Sequence, residues 1–189
     1  PARPSCMPGY TVGMCARFTL HAATVDLIRH FRLGQTPPLS PRFNVAPSQD
    51  VATVRRSKDG PQRKLVMMRW GLVPFWAKDA SIGQRLLNAR SETVAQKPAF
   101  RSAYERRRCL IPADGYYEWK DMGGCKQPFY VRRADRQPFA FAGLWERWRS
   151  GETPLDSCTI VTTGANDLTR KIHDRMPVIL ETADYDLWL

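Results

Sequence analysis

Three side chains in this sequence combine reactive chemistry with neighbours that could tune it. Cys15 stands in the segment MCARF, Glu118 in the aromatic run YYEW, and His173 at the start of HDRMP. A thiol is a nucleophile, a carboxyl group in aromatic surroundings has a raised pKa that suits proton transfer, and an imidazole can hold or release a proton near neutral pH. The residues alone leave open whether Glu118 is instead a salt-bridged strand residue and His173 a structural one.

The spacing of the cysteines gives no sign of a metal site. The chain has five cysteines without any Cys-x-x-Cys pair, so zinc is not indicated. Cys109 and Cys158 lie in apolar, strand-like runs and are predicted to be core thiols. We therefore expect neither a metal nor another cofactor.

The balance of charge favours an anionic partner. The formal net charge is +11 and 22 of the 29 basic residues are arginines. Guanidinium groups bind phosphates bidentately and stack on bases, so nucleic acid is the first expectation. A basic surface without a partner is the alternative. The run 106–108 is predicted to be a solvated helix end, with phosphate contact as the alternative.

Aromatic residues alternate with cations in the middle of the chain. Trp70, Phe75 and Trp76 are interleaved with Arg69 and Lys78. This pattern suits the stacking of unpaired bases beside a track for the phosphate backbone. Tryptophan is also common in protein cores, so burial is the alternative for these rings.

Length and composition are typical of one folded domain. The chain has 189 residues, of which 43% are hydrophobic and 25% charged, and such a chain can bury a core. Its apolar runs have the length of strands, so no membrane span is predicted. The first residues lack the apolar centre of a secretory signal, which predicts a cytoplasmic location. Residues 1–14, rich in Pro and Gly, are predicted to be a leader or an extension.

Apolar periodicity predicts a short amphipathic helix at 25–33 and a series of strands. The strand-like runs are at 51–55, 65–70, 109–111, 116–119, 129–132, 139–145 and 158–162. Further helical stretches are predicted at 91–95, 99–106 and 166–173, and Thr182 is predicted to be the N-cap of a last helix. Many strands with few helices indicate an α+β architecture around a curved, barrel-like sheet.

Six ordered segments carry a family resemblance. They are MCARF (14–18), RFNVAPSQ (42–49), RWGLVPFW (69–76), NARSET (88–93), RCLIPADGYYEW (108–119) and HDRMP (173–177). In this order they resemble the SRAP family, the SOS-response-associated abasic-site-processing proteins. The resemblance implies a single domain at 15–189 whose C-terminal end is incomplete, built on a largely antiparallel, bifurcated sheet that forms a pseudo-barrel with a few peripheral helices. Ala16 departs from the family pattern, which has Gly after the cysteine.

The chemistry that the resemblance implies for Cys15 requires this residue to be the first of its chain. An abasic site in its open form carries an aldehyde. The α-amine of an N-terminal cysteine forms an imine with it, and the thiol then closes a thiazolidine ring. An α-amine with a pKa of about 7.8 is roughly 30% neutral at pH 7.4, against about 0.1% for a lysine. The resemblance therefore implies a covalent crosslink to single-stranded DNA after residues 1–14 have been removed.

Other residues also receive roles from the resemblance. Glu118 corresponds to the catalytic glutamate, His173 is a second catalytic residue, and Asn88 would orient the Cys15 terminus or bind the sugar oxygens. The expected DNA-binding set, which includes two tryptophans from the aromatic pattern, is Arg17, Asn44, Pro47, Trp70, Trp76 and Arg90. A monomer that acts in the DNA-damage (SOS) response at the bacterial nucleoid is expected, without membrane, metal or cofactor.

Two other functions stay open on the sequence. A cysteine peptidase would use Cys15 as nucleophile and His173 as base, and self-removal of a leader fits such an activity. A non-catalytic module for single-stranded DNA would account for the charge and the aromatic residues, but it leaves Cys15, Glu118 and His173 without a role. A peptidase tolerates residues before its cysteine, whereas thiazolidine formation does not.

Overall fold

Strands make up most of the regular structure. The computed structural model describes residues 16–57 and 60–189. In chain order the strands are β1 (Arg17–Leu20), β2 (Arg42–Val45), β3 (Asp50–Arg56), β4 (Arg63–Trp70), β5 (Asn88–Arg90), β6 (Arg108–Ala113), β7 (Gly115–Asp121), β8 (Lys126–Arg132), β9 (Phe139–Trp148), β10 (Leu155–Gly164), β11 (Arg175–Pro177) and β12 (Ile179–Leu180). The α-helices are α1 (Thr24–Phe31), α2 (Arg101–Arg106) and α3 (Tyr185–Trp188), and short 3-10 turns lie at Ala80–Arg85, Thr169–Lys171 and Thr182–Asp184.

Five of these strands close into a barrel. Their order is β10-β4-β3-β6-β9, and β9 pairs with β10 to complete the circle. The pairing of β4 with β10 is parallel, whereas the other four pairings of the barrel are antiparallel. The short strands β5, β11 and β12 add to β10 and β9 where these two strands separate. The predicted α+β fold with a bifurcated, barrel-like sheet is therefore confirmed.

A second, four-stranded antiparallel sheet covers one side of the barrel in the order β2-β1-β7-β8. Phe18 of β1 and Tyr116 of β7 are buried in the same core cluster as Trp70 and Ile160 of the barrel. These shared apolar contacts hold the two sheets together, since burial of apolar surface is the main favourable term in folding.

The predicted elements agree with the structure wherever the apolar pattern is long. All seven predicted strands are present, and α1 matches the helix expected at 25–33. The segment 91–95 forms turns instead of a helix, and 166–173 contains a single 3-10 turn. Thr182 is the first residue of a 3-10 turn whose N-cap is Glu181. No helix in the described part of the chain is long and apolar enough to cross a membrane.

The two predicted core thiols are confirmed. Cys109 and Cys158 are both buried and free. Burial raises the pKa of each thiol above its ordinary value, because the thiolate would lose its hydration in the apolar core.

Trp70 is the largest side chain of the core, and none of its surface is exposed. Its ring packs edge-on against Phe18, with 5.2 Å between the ring centroids. Its indole Nε1 donates a hydrogen bond of 3.0 Å to the backbone carbonyl of Leu87. This one side chain therefore contacts the small sheet and also fixes the segment that leads into β5.

Trp70→Phe is expected to lower the free energy of unfolding by about 2–4 kcal/mol, because it leaves a cavity and removes one of the two hydrogen bonds to the carbonyl of Leu87. Urea unfolding followed by circular dichroism measures the change. Trp76→Phe is the matched control, since Trp76 is 49% exposed, and it should cost less than about 0.5 kcal/mol. Equal losses in the two variants would contradict the structural role given to Trp70.

Candidate functional site

Glu118 is a buried carboxyl group on β7. Only 3% of the residue is exposed. Side chains alternate along a strand, so Glu118 lies on the same face as the buried core residue Tyr116. One of its carboxylate oxygens accepts a hydrogen bond of 3.2 Å from the backbone N–H of Trp119. Burial of a carboxyl group costs free energy, so a carboxyl group at this buried position indicates a functional role.

The start of β1 lies directly beside Glu118. Arg17 pairs with Tyr117 across the sheet, so Ala16, one residue before Arg17, lies next to Glu118, one residue after Tyr117. Ala16 is 4% exposed, and its carbonyl accepts a hydrogen bond of 2.8 Å from Arg17 Nη1. Cys15, the predicted nucleophile, lies outside the described residues.

Gln49 and Arg42 hold the end of β2, which contains Asn44, and the loop after it, which contains Pro47. The amide oxygen of Gln49 accepts hydrogen bonds from the backbone N–H of Ala46, at 3.1 Å, and from Arg42. Asn44 is exposed and Pro47 is half-buried. Sequence reasoning missed the roles of Arg42 and Gln49, although both belong to the RFNVAPSQ segment.

Asn88 and Arg90 lie on β5, which is only three residues long. They pair in parallel with Ile160 and Thr162 of β10. Asn88 is half-buried, whereas Arg90 is exposed. Their positions at the end of the barrel are therefore set by β10 and by the hydrogen bond from Trp70 to the carbonyl of Leu87.

His173 is fixed by the loop that precedes β11. Its backbone N–H donates to the carbonyl of Thr169 at 2.9 Å. Its Nδ1 lies 3.1 Å from the N–H of Arg175 and 2.8 Å from a carboxylate oxygen of Asp174. The contact with the N–H of Arg175 uses Nδ1 as an acceptor, whereas the contact with Asp174, whose side chain is 86% exposed, uses it as a donor. Either contact occupies Nδ1 and leaves Nε2 as the ring nitrogen that can meet a reactant.

An ion pair ties the NARSET segment to the HDRMP segment. Arg175 forms two hydrogen bonds to the carboxylate of Glu92, at 2.8 and 3.0 Å, and a third of 2.8 Å to the carbonyl of Thr162. The same carbonyl accepts 2.8 Å from the N–H of Ser91. The pair therefore holds the residues after β5 against the start of β11. The sequence analysis did not predict this ion pair. Its one signal in the sequence is that the two residues belong to the motifs NARSET and HDRMP.

The three aromatic residues expected to stack on bases lie in different places. Trp70 is fully buried in the core, so its predicted role as a stacking surface is wrong. Phe75 and Trp76 are 55% and 49% exposed, but they line different pockets. The alternation of aromatic residues and cations in the sequence does not show which ring is buried, because burial of Trp70 depends on its contacts with Phe18 and with the carbonyl of Leu87.

Trp76 opens onto a basic groove. It lines a pocket of about 360 Å³ together with Lys78 and Arg85. An adjacent pocket of about 220 Å³ is lined by Arg69 and the loop residue Ser48. Ser81 and Gln84 line both pockets, so the two adjoin, and together they are called the Trp76 groove. Among the described residues, its three cations outnumber its one carboxylate, Asp79, which suits an anionic chain.

Close backbone contact shapes the wall of this groove. A Cβ atom on Gly71 would lie 2.6 Å from the carbonyl oxygen of Gly83, and a Cβ on Gly83 would lie 2.7 Å from that of Gly71. The backbone φ of Gly71 is 130°, a value that favours glycine. Only glycine at both positions permits this approach of the two segments.

The structure thus divides the expected site residues into two groups. Arg17, Asn44 and Glu118 lie on the small sheet, and Asn88, Arg90 and His173 lie near the end of β10. The core cluster around Trp70 connects the groups. In residues 16–57 and 60–189, no group of three or more His, Cys, Asp or Glu side chains is arranged to hold a metal ion.

Comparison with known proteins agrees with this arrangement. The profile of the family described as SOS response associated peptidase (SRAP) matches residues 14–189. The chain belongs to the SRAP family. It is 46% identical over 181 residues to "Abasic site processing protein YoqW" of Bacillus subtilis, an alignment that covers 93% of this chain and 80% of the relative. "Abasic site processing protein YoaM" of Bacillus subtilis is 45% identical over 181 residues, with 93% and 79% covered.

A solved structure has the same fold as this SRAP chain. A protein from Bacteroides thetaiotaomicron superposes with a TM-score of 0.84 at 28% sequence identity, with 93% of this chain and 81% of that chain covered. The pairing of a barrel with a covering sheet is therefore a property of the fold and not of one sequence.

Glu92→Gln is expected to remove an acid-sensitive part of the stability. Hydrogen bonds from Arg175 lower the pKa of the Glu92 carboxyl to about 2, from an ordinary value of 4.5. Because the folded-state pKa is the lower one, the pair stabilises fully above about pH 4.5, and this stabilisation is lost as the pH falls towards about 2. Urea unfolding between pH 7 and pH 2.5 should show the two proteins converging as the pH falls.

Glu152→Gln serves as the control for this experiment. Glu152 is an exposed loop residue that lies outside the Arg175 contact. Its removal should leave the pH dependence of the wild type unchanged. If Glu92→Gln and Glu152→Gln have the same pH profile, the Arg175–Glu92 pair does not couple the two segments.

Proposed function

We propose that this protein captures abasic sites in single-stranded DNA covalently, through the α-amine and thiol of Cys15 once that residue is the N-terminus. The observation that carries the proposal is the buried Glu118 carboxyl beside Ala16, the residue that follows Cys15. Membership of the SRAP family supports it, as do the names of YoqW and YoaM, which are abasic site processing proteins. Cys15 is covalently bonded to Ala16, the residue that lies beside Glu118 across the sheet.

The reaction needs no oxidant and no cofactor. The neutral amine adds to the aldehyde carbon of the open abasic site and gives a carbinolamine. Protonation of its hydroxyl group releases water and leaves an iminium ion. The thiol then passes its proton to the Glu118 carboxylate that remains from this step, and addition of the thiolate sulfur to the iminium carbon closes the neutral thiazolidine ring. Glu118 supplies the proton to the departing water, because a carboxyl group sheltered from solvent is suited to proton transfer at neutral pH.

Two further residues assist at the other side of the site. His173 offers Nε2 as a second proton carrier, since Nδ1 is occupied by backbone or carboxylate contacts. Asn88 holds the Cys15 terminus or the sugar oxygens by hydrogen bonds. The Arg175–Glu92 pair supports this arrangement because it joins the segments that carry the two residues.

DNA is held by the basic surface around these residues. Arg17 and Arg90 contact phosphates, and Asn44 and Pro47 line the path of the strand. The Trp76 groove offers an exposed ring next to Lys78 and Arg85, which suits an unpaired base and its backbone. The fully buried Trp70 takes no part in these contacts.

A chain that begins at Cys15 is expected to form a heat-stable adduct with single-stranded DNA that contains one abasic site. Intact mass spectrometry measures the adduct. The 189-residue chain, as long as residues 1–14 remain attached, should give none, because an amide nitrogen is not a useful nucleophile. Cys15→Ser, in the shortened chain, keeps the amine and loses the thiol, so its imine should be trapped by borohydride but should not survive heating.

The same experiment distinguishes covalent capture of abasic sites from the rival peptidase activity. The family description contains the word peptidase, and a peptidase would use the thiol of Cys15 whether or not residues precede it. An equal rate of crosslinking by the long and short chains would exclude the amine as nucleophile. Cleavage of an unrelated peptide by the long chain, abolished in Cys15→Ser, would establish the peptidase instead.

Arg90→Glu is expected to weaken binding to undamaged single-stranded DNA and to flatten its dependence on salt. Each lost phosphate contact should reduce the slope of log K against log salt by about 0.7, since fewer counterions are released. Fluorescence anisotropy over a range of salt concentrations measures both quantities. The control is Arg29→Glu, which changes an exposed charge of α1. Equal effects of the two variants would show that only net charge matters.

A further inference from the structure

A second basic pocket is lined largely by residues outside the candidate site. It has a volume of about 650 Å³, and seven of the eleven described residues that line it are arginines. These are Arg55, Arg56, the run 106–108, Arg147 and Arg149. Glu146 is the one acidic residue among the described residues of the lining. The run at 106–108, expected to be a solvated helix end, is thus one wall of a pocket.

Strand geometry separates one wall of this pocket from the Trp76 groove. Asp50, at the start of β3, pairs with Arg69. Arg69 lines the Trp76 groove. Arg55 is five positions further along the same strand, and a strand rises by about 3.3 Å per residue, so the distance along β3 is about 17 Å. The Arg55 wall of the pocket therefore lies about 17 Å along β3 from Arg69, whereas Phe75, which also lines the pocket, directly precedes Trp76 in the chain.

Some of the arginines already have partners. Arg107 forms an ion pair of 2.7 Å with Glu146, and Arg147 forms two hydrogen bonds of 2.6 Å to Asp156. Arg108 donates to the carbonyl of Trp188. These contacts fix the walls of the pocket. The acidic groups Glu146 and Asp156 are already bonded to Arg107 and Arg147 in them.

Arg55, Arg106 and Arg149 are left without a carboxylate partner within the described ranges. Arg55 is the most informative of them, because only 8% of the residue is exposed and its Nε has no hydrogen-bond partner among the described residues. Its guanidinium carbon lies 4.6 Å from the centre of the Trp145 ring. Asp156 also acts on Arg55 electrostatically, but this carboxylate is hydrogen-bonded to Arg147. An aromatic face and a shared acidic neighbour compensate a buried cation only in part, so a further anion in the pocket would stabilise it.

We propose that this pocket binds a phosphate-bearing ligand of nucleotide size. The phosphate oxygens meet Arg55, Arg106 and Arg149, since planar guanidinium groups bind phosphate through two parallel hydrogen bonds. The exposed ring of Phe75, which lines the same pocket, offers a surface for the base. The volume lies in the range of small-molecule sites. The ligand is either a free nucleotide or the phosphorylated end of a strand.

Two probes distinguish these sources. Calorimetry with the full chain should show saturable binding of either ADP or octathymidylate that carries a 5′-phosphate, and weaker binding of the same oligonucleotide without that phosphate. The variant Arg106→Ser with Arg149→Ser should lower the affinity for the bound probe by about tenfold or more, since two charge-assisted contacts are lost. The control pair, Arg29→Ser with Arg136→Asn, removes the same charge outside the pocket.

Each outcome of these experiments either supports or overturns the proposal. ADP binding that depends on the pocket arginines supports a nucleotide site, and preference for the 5′-phosphorylated strand supports a strand-end site. Failure of both probes to bind overturns the proposal, and so does an equal loss in the pocket and control variants. Crosslinking to abasic DNA by chains that begin at Cys15 should be the same in wild type and pocket variant, so the result is independent of the proposed function.

Arg55→Met distinguishes a ligand contact from a structural role. Removal of a buried charge without a carboxylate partner should leave the melting temperature of the free protein equal or higher. The rise in melting temperature that the bound probe produces in the wild type should disappear in the variant. A variant that melts lower and is still stabilised by the probe would show that Arg55 serves the fold alone.

Discussion

Pairing along β10 is the constraint on which both the barrel and the candidate site depend. One edge of β10 pairs with β4 up to Cys158 and then with β5 from Ile160 onward. The other edge pairs with β9 and then with β11. Thr162 consequently lies between Arg90 on one side and Pro177 on the other. A change of partners halfway along one strand is what brings segments distant in sequence to the same end of the barrel.

Trp70 occupies the point where β4 leaves β10. It pairs with Cys158 at the last position of the parallel ladder, and its indole N–H satisfies the carbonyl of Leu87, just before β5 begins. The same carbonyl accepts a hydrogen bond of 3.1 Å from the backbone N–H of Ile160, so β10 and Trp70 together fix this segment at the change of partner. The RWGLVPFW segment thus serves the site from inside the core, by fixing the segment that carries Asn88 and Arg90.

The net charge of +11 is distributed over surfaces of different character. Near the candidate site, Arg90 is exposed and Arg175 is bound to Glu92, so the cations there either face solvent or brace the backbone. In the second pocket, Arg55 is buried against Trp145 and forms no ion pair among the described residues, and its acidic neighbour Asp156 is hydrogen-bonded to Arg147. Water stabilises an exposed charge but not a buried one, so a buried cation that shares its acidic neighbour supports a ligand site more strongly than an exposed cation does.

The sequence by itself determined the elements and residues whose signal is local. The long alternating runs gave the seven strands, the apolar surroundings of Cys109 and Cys158 gave two core thiols, and the ordered motifs gave the family. Only the tertiary structure decided the burial of Trp70, the three-residue strand β5 and the contact between Glu92 and Arg175. Three residues are too few to show a period, and a contact across 83 positions leaves no trace in either neighbourhood. Such features arise from pairing between distant segments, and the neighbouring residues along the chain do not determine how favourable that pairing is.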